Sequence, residues 1–191
     1  DTIPADKYGD VKLTDDAAVG KSAYFDGHSV LVVNYMTNIF NSVPMQHFSV
    51  ALWFKMDGPQ LGLGGLVNNG HCYTPPSFDV HVGPGTVSTG SVDTHGVAGK
   101  HLPDFSVFGD DWVHVAMVYN GQQLVFYVNG VQQSHSEQLT GYVENRQCPM
   151  AIGRQGLDET QGFFRGHMDD LRVYTKSLTS DDVQRLYNMR M

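Results

Sequence analysis

Cys72 and Cys148 are the only two cysteines of the chain, and each lies in a polar, turn-rich stretch, NNGHCYTPP and ENRQCPM. Such a pair either bridges two loops or stays as two buried, inert thiols. A bridge would close a loop of about 76 residues and on chain-entropy grounds add about 4 kcal/mol; it would also belong to an oxidising, extracellular setting. It would draw two groups of side chains into one surface: Asn68, Asn69, His71 and Tyr73 from one loop, and Tyr142, Glu144, Asn145 and Arg146 from the other. These are the residue types that recognise sugars. An aromatic ring packs on the apolar face of the sugar, while amides, carboxylates and imidazoles on exposed loops fix its hydroxyls. Two further loops qualify on the same grounds, Asp93 to Asp104 with His95, Lys100 and His101, and Arg154 with Asp158 and Glu159.

Chemistry on a bound polymer would need more. A retaining glycosidase sets two carboxylates about 5 Å apart on one face, but Glu137, Glu144 and Glu159 do not alternate with another carboxylate along a strand. Asp169 and Asp170 are neighbours, so a strand would point them to opposite faces. There is no Gly-x-Ser-x-Gly elbow or glycine-rich phosphate loop. The nine histidines include no His-x-x-x-His pair for zinc, and His114, inside a strand pattern, reads as a satisfied, partly buried residue. The expectation is a binding module and no enzyme. A net charge of -8 with 12 Lys and Arg offers no footprint for nucleic acid. No run approaches the roughly 20 apolar residues of a membrane helix, so no membrane insertion is expected. The start at Asp1 fits a secreted chain after signal removal or a domain cut from a larger protein.

The elements that must carry these residues read as strands. Twenty-one glycines and eight prolines, spread along the chain, indicate many turns between short strands, and 191 residues suit one all-β domain over 1–191. In FSVALWF, Phe48, Val50, Leu52 and Phe54 take one face, with Ser49, Ala51 and Trp53 on the other. WVHVAMVY puts Val113, Val115, Met117 and Tyr119 on one face and Trp112, His114, Ala116 and Val118 on the other, so both faces should be covered. Asn120-Gly121 follows, then LVFYV, then Asn129-Gly130, which predicts a hairpin from Trp112 to about Gln132. Further strands are expected over 22–25, 29–33, 78–82, 151–153 and 168–174, and long exposed loops with one short strand over 83–110. Thr179 to Asn188 predicts a helix: Thr179 caps it, Asp181 and Asp182 meet the dipole, and Val183, Leu186 and Tyr187 share a face.

DDWVHVAMVYNGQQLVFYVNGV resembles the central hairpin of laminin G-like domains of the concanavalin A-like superfamily, with its Trp-x-His strand and Tyr-Val-Asn-Gly ending. FFRGHMDDLRVYTKSLTSDDVQRLY is similar to their terminal strand and capping helix, SAYFDGHSVLVV to their opening strand pair, and FSVALWFK to the strand after it. The resemblance implies a two-sheet antiparallel β-sandwich of jelly-roll type, about twelve to fourteen strands, whose ligand is a glycan or an extracellular protein. It also implies calcium held by Asp side chains, and Asp26, in the Phe-Asp-Gly turn, is the carboxylate that the family pattern sets near the terminal strand. There, a period of two that sends Leu171 and Val173 inward would send Asp169 inward as well. An inward carboxylate needs a cation, an opposite charge or backbone N–H groups. Asp26 and Asp169 are therefore expected either to share a calcium ion or to tie down turns by hydrogen bonds.

Overall fold

Alternation over 48–56 decides the layers. The computed structural model describes residues 4–34, 45–69, 76–84, 87–94, 97–101, 105–106, 111–144, 148–155 and 161–190. Among them are the strands β1 (Asp6–Tyr8), β2 (Lys12–Thr14), β3 (Ser22–Asp26), β4 (Val30–Val33), β5 (Phe48–Met56), β6 (Gly64–Asn68), β7 (Phe78–Val82), β8 (Val87–Thr94), β9 (Val97–His101), β10 (Phe105–Ser106), β11 (Val113–Tyr119), β12 (Gln123–Val128), β13 (Val131–Gln138), β14 (Met150–Ile152) and β15 (Arg165–Tyr174), followed by the helix α1 (Ser180–Tyr187). All strand pairs are antiparallel. An 8-stranded sheet runs β1-β4-β14-β6-β7-β8-β10 with β9 on β8, and a 7-stranded sheet runs β13-β12-β11-β5-β15-β3-β2. This is the expected two-sheet sandwich. The 83–110 segment departs from expectation, since three strands, β8, β9 and β10, extend the first sheet where one short strand amid long loops is expected; cross-strand partners there outweigh a weak period.

Phe48, Val50, Leu52 and Phe54 of β5 and Val113, Val115, Met117 and Tyr119 of β11 meet Leu66, Phe78, Val80 and Val82 of the other sheet in the central core. The opposite face of β5 and β11 is covered too. Ala51, Ala116 and Val118 pack with Leu178, Val183 and Leu186 of the helix region. Thr179 caps α1 as expected, and the Asp182 carboxylate reciprocates by accepting from the Thr179 N–H. His114 lies under the same cover at 2% exposure, with ring centroids 5.1 Å from Trp53 and 6.2 Å from Tyr187. Burial pushes its imidazole down to about 4, so it is neutral and structural. The hairpin forms with both Asn-Gly turns, and Asn129 and Gly130 have φ of 50° and 77°, the two positive values that a tight hairpin turn needs. No helix among the described residues is long and apolar enough to cross a membrane.

A bulge corrects one expectation. The β5–β15 register shifts between Asp169 and Arg172, and Asp170 sits there at φ 47°. The extra residue breaks the period of two. Met168, Leu171 and Val173 face the central core, while Asp169 pairs with Trp53 on the outward face, where Trp53 packs with Ala18 and Trp112.

Candidate functional site

Three turns meet at one end of the sandwich. The first joins β3 to β4, where Gly27 takes φ 88° and the Asp26 carboxylate accepts a hydrogen bond from the His28 N–H at 2.9 Å. The second is the 57–63 loop after β5. Gln60 staples it to β15, its Oε1 accepting from Arg165 N–H at 3.0 Å and its Nε2 donating to the Arg165 carbonyl at 3.0 Å. Asp57 accepts from Arg165 Nη2 at 2.9 Å and from the Tyr24 hydroxyl at 3.1 Å. The third is formed by the described residues between β14 and β15, 153–155 and 161–164. The Gly162 carbonyl accepts from Gly65 N–H at 2.9 Å and Gln155 N–H at 2.8 Å. This closeness requires Gly65, because a Cβ there would stand 2.2 Å from the Arg154 carbonyl carbon and the Gln155 nitrogen.

Together the turns enclose a cleft of about 780 Å³, within the range of ligand sites, roughly 300–1,000 Å³. Phe163 and Pro59 give it apolar wall, Asp26, Asp57, Gln155 and Arg165 give it polar groups, and Leu61 and Leu63 form the lip. Leu61 is fully exposed and Leu63 about half so. Behind the cleft, Gln155 Nε2 donates to Asp79 Oδ2 at 2.8 Å, which His81 Nδ1 also approaches at 2.7 Å. Both Asp79 and His81 are buried. The hydrogen bond from His28 holds the Asp26 carboxyl below the usual carboxylate range, ahead of a smaller opposing effect of burial. That suits an acceptor for hydroxyl groups, whereas a general acid needs the opposite direction.

Asn68, Asn69, Tyr142 and Glu144, expected to bind ligand, lie elsewhere. Gly64, facing Val82, marks the cleft end of β6, and Asn68, facing Asp79, marks the other end. Asn68 and Asn69 are each 1% exposed, which corrects their reading as ligand contacts. Asn68 Nδ2 donates to the Arg154 carbonyl at 2.7 Å, and Asn69 Oδ1 accepts from Phe78 N–H at 3.1 Å; their amides are spent on buried backbone groups. Tyr142 and Glu144 are half-buried and flank Val143, which bridges Met45 and Thr94 at that same far end. Cys148 is buried there, and no cysteine among the described residues is free. His71, Cys72, Tyr73, His95, Asp104, Asn145, Arg146, Asp158 and Glu159 lie outside the described residues; Lys100 and His101 fall in β9.

The carboxylate pair does not form. Asp26 faces Arg165 across β3 and β15, and Asp169 lies four residues further along β15, about 13 Å away at the rise of a strand. One ion cannot bridge them. Asp169 instead accepts from the Val19 N–H at 2.6 Å and the Asp170 N–H at 2.7 Å, the hydrogen-bonding alternative. No three His, Cys, Asp or Glu side chains among the described residues gather as metal ligands. Apart from Asp26, the cleft residues were not anticipated, although two leucines amid the glycines of DGPQLGLGG and the Phe163 of QGFFR are the signal that exposed apolar loop residues leave.

The architecture is shared with solved structures at low identity. The receptor binding domain of botulinum neurotoxin C/D mosaic serotype is similar with a TM-score of 0.74 at 16% identity, covering 97% of this chain and 46% of that one. The binding domain of botulinum neurotoxin DC, solved in complex with rat synaptotagmin II, gives 0.67 at 13%, over 99% and 48%. Domain 4 of AbnA, a GH43 extracellular arabinanase from Geobacillus stearothermophilus solved with arabinotriose, gives 0.65 at 18%, over 98% and 88%. The chain thus spans about half the length of the two toxin domains. No curated protein sequence matches it. Residues 33–184 match a laminin G family model, and the chain belongs to that family, within the concanavalin A-like lectin/glucanases superfamily.

Proposed function

We propose that this domain is an extracellular, non-catalytic, lectin-like module that holds a carbohydrate in the cleft among residues 26–28, 57–63, Gln155 and 161–165. The observation that carries the reading is the cleft itself, in which the Phe163 ring stands beside Asp26, Asp57, Gln155 and Arg165. A sugar needs this combination of one apolar face and several in-plane polar partners. The lowered carboxyl of Asp26 favours binding over proton transfer, and the arabinotriose complex of a similarly folded domain supports a glycan as ligand. A Cys72–Cys148 bridge would fit the extracellular setting and is proposed with it.

A glycan array probed with the wild-type domain and with His28→Ala and Phe163→Ala tests the assignment. Binding to at least one glycan, weakened by both changes, is expected. An array that stays empty, or variants that bind as the wild type does, would overturn it. One observation favours a protein partner instead: Leu61, fully exposed beside the cleft, offers an anchor of the kind protein interfaces use. An empty array together with direct protein capture that Leu61→Asp abolishes would select that reading.

A further inference from the structure

A second depression adjoins the cleft. Its volume is about 310 Å³, and Tyr8, Gly9, His28, Val30, Val32, Arg154 and Phe163 line it. His28 and Phe163 line both depressions. Their rings, with centroids 6.2 Å apart, form a ridge between the two. The second depression lies on the outer face of the 8-stranded sheet, where Val30 and Val32 pack with Ala151 and Phe163. Tyr8 is the register partner of Val30, so both side chains rise on that face. Beneath the ridge, the Arg154 guanidinium sits 5.6 Å from the centre of the Phe163 ring, a cation–π contact that fixes the ring. Tyr8 itself is 57% exposed, which leaves its phenol body open to a ligand.

From this continuity we infer that the site is a groove of two subsites, one on either side of the Phe163–His28 ridge, and that it takes an internal stretch of an oligosaccharide chain. The inference rests on the carbohydrate reading of the cleft. A pocket for a chain end is closed beyond one unit, but here the wall of the first depression is the entrance to the second. The two also differ in chemistry. The cleft supplies Asp26, Asp57 and Arg165 for hydroxyl recognition, while the second depression has a floor of Val30 and Val32 with an aromatic ring at its outer edge, the lining for stacking the next sugar unit. Tyr8 is thereby assigned as the outer stacking residue.

Isothermal titration of the intact domain with gluco-, galacto-, manno-, xylo- and arabino-oligomers, each from monomer to hexamer, tests this. In at least one series wild-type affinity should rise with length, and Tyr8→Ala should remove about 3- to 10-fold of the gain for the longer members, as loss of one stacking contact implies. Affinity for the shortest binding member should not change. Tyr8 lies on an exposed edge strand, and an unchanged melting temperature verifies the fold. In amide spectra, Gly9, Val30 and Val32 should move with the long oligomers and not with the short. Binding that is flat with length, or a gain that survives Tyr8→Ala, refutes the second subsite and leaves the cleft standing. Failure of every series to bind removes the carbohydrate reading and this inference with it.

Discussion

His114 makes the stability of the fold depend on pH in a calculable way. Burial lowers its imidazole from 6.5 to about 4, with the charge of Arg172 acting in the same direction. Between those values the unfolded chain binds a proton that the folded chain refuses, so stability rises with pH. The contribution is complete above 6.5 and is lost as pH falls through the window towards 4. At about pH 4.5 the loss is about 2–3 kcal/mol. Urea unfolding of the wild type at intervals from about pH 7.5 to 4.5 should show this decline. His167 is lowered by burial as well and acts in the same direction, whereas Asp16 and Asp26, held below the usual carboxylate range, act further down. The variant His114→Leu isolates the effect. Its side chain replaces a ring whose buried Nδ1 has no hydrogen-bond partner among the described residues, and its stability should fall with pH less steeply than that of the wild type by about 2–3 kcal/mol over the same range. Parallel curves for the two proteins would show that His114 is not the titrating group.

Further outcomes follow from the site and its supports. Asn69→Ala should cost about 1–3 kcal/mol by removing the Oδ1 acceptor of the buried Phe78 N–H, yet leave glycan affinity unchanged; a thermal melt beside a binding titration checks both halves. Gly65→Ala should destabilise by about 1–3 kcal/mol and weaken binding together, since the added Cβ meets backbone at 2.2 Å and displaces the segment that carries Gln155. Thr179→Ala should cost about 1 kcal/mol in denaturant unfolding, with no effect on the ligand. Thiol labelling of the denatured, unreduced chain should find no free cysteine if Cys72 and Cys148 are bridged, and two after reduction.

Much of the scaffold was legible because it is written in local chemistry. Alternation in Phe48–Met56 and Val113–Tyr119, two Asn-Gly turns, and a Thr179 cap followed by Asp182 act over a few residues each, and the folded chain keeps all of them. The misses have a common cause. Asn68 and Asn69 have the composition of a recognition loop, but cross-strand backbone demand buries them. Asp169 follows a period of two only as far as the bulge at Asp170, and a bulge is set by the partner strand.

The sequence by itself determined which faces of the strands are apolar, where the chain turns and where the helix starts, because side-chain period and turn geometry are properties of neighbouring residues. Only the tertiary structure decided that residues from 26–28 and 57–63, with Gln155 and 161–165, form one cleft, that Asp26 and Asp169 stand apart, and that Phe163 divides two depressions. Those facts depend on strand order and register between segments more than a hundred residues distant, as in the pairing of Asp26 with Arg165. No periodicity encodes them, since they arise when two sheets bury a common core and their connecting turns are brought to the same end.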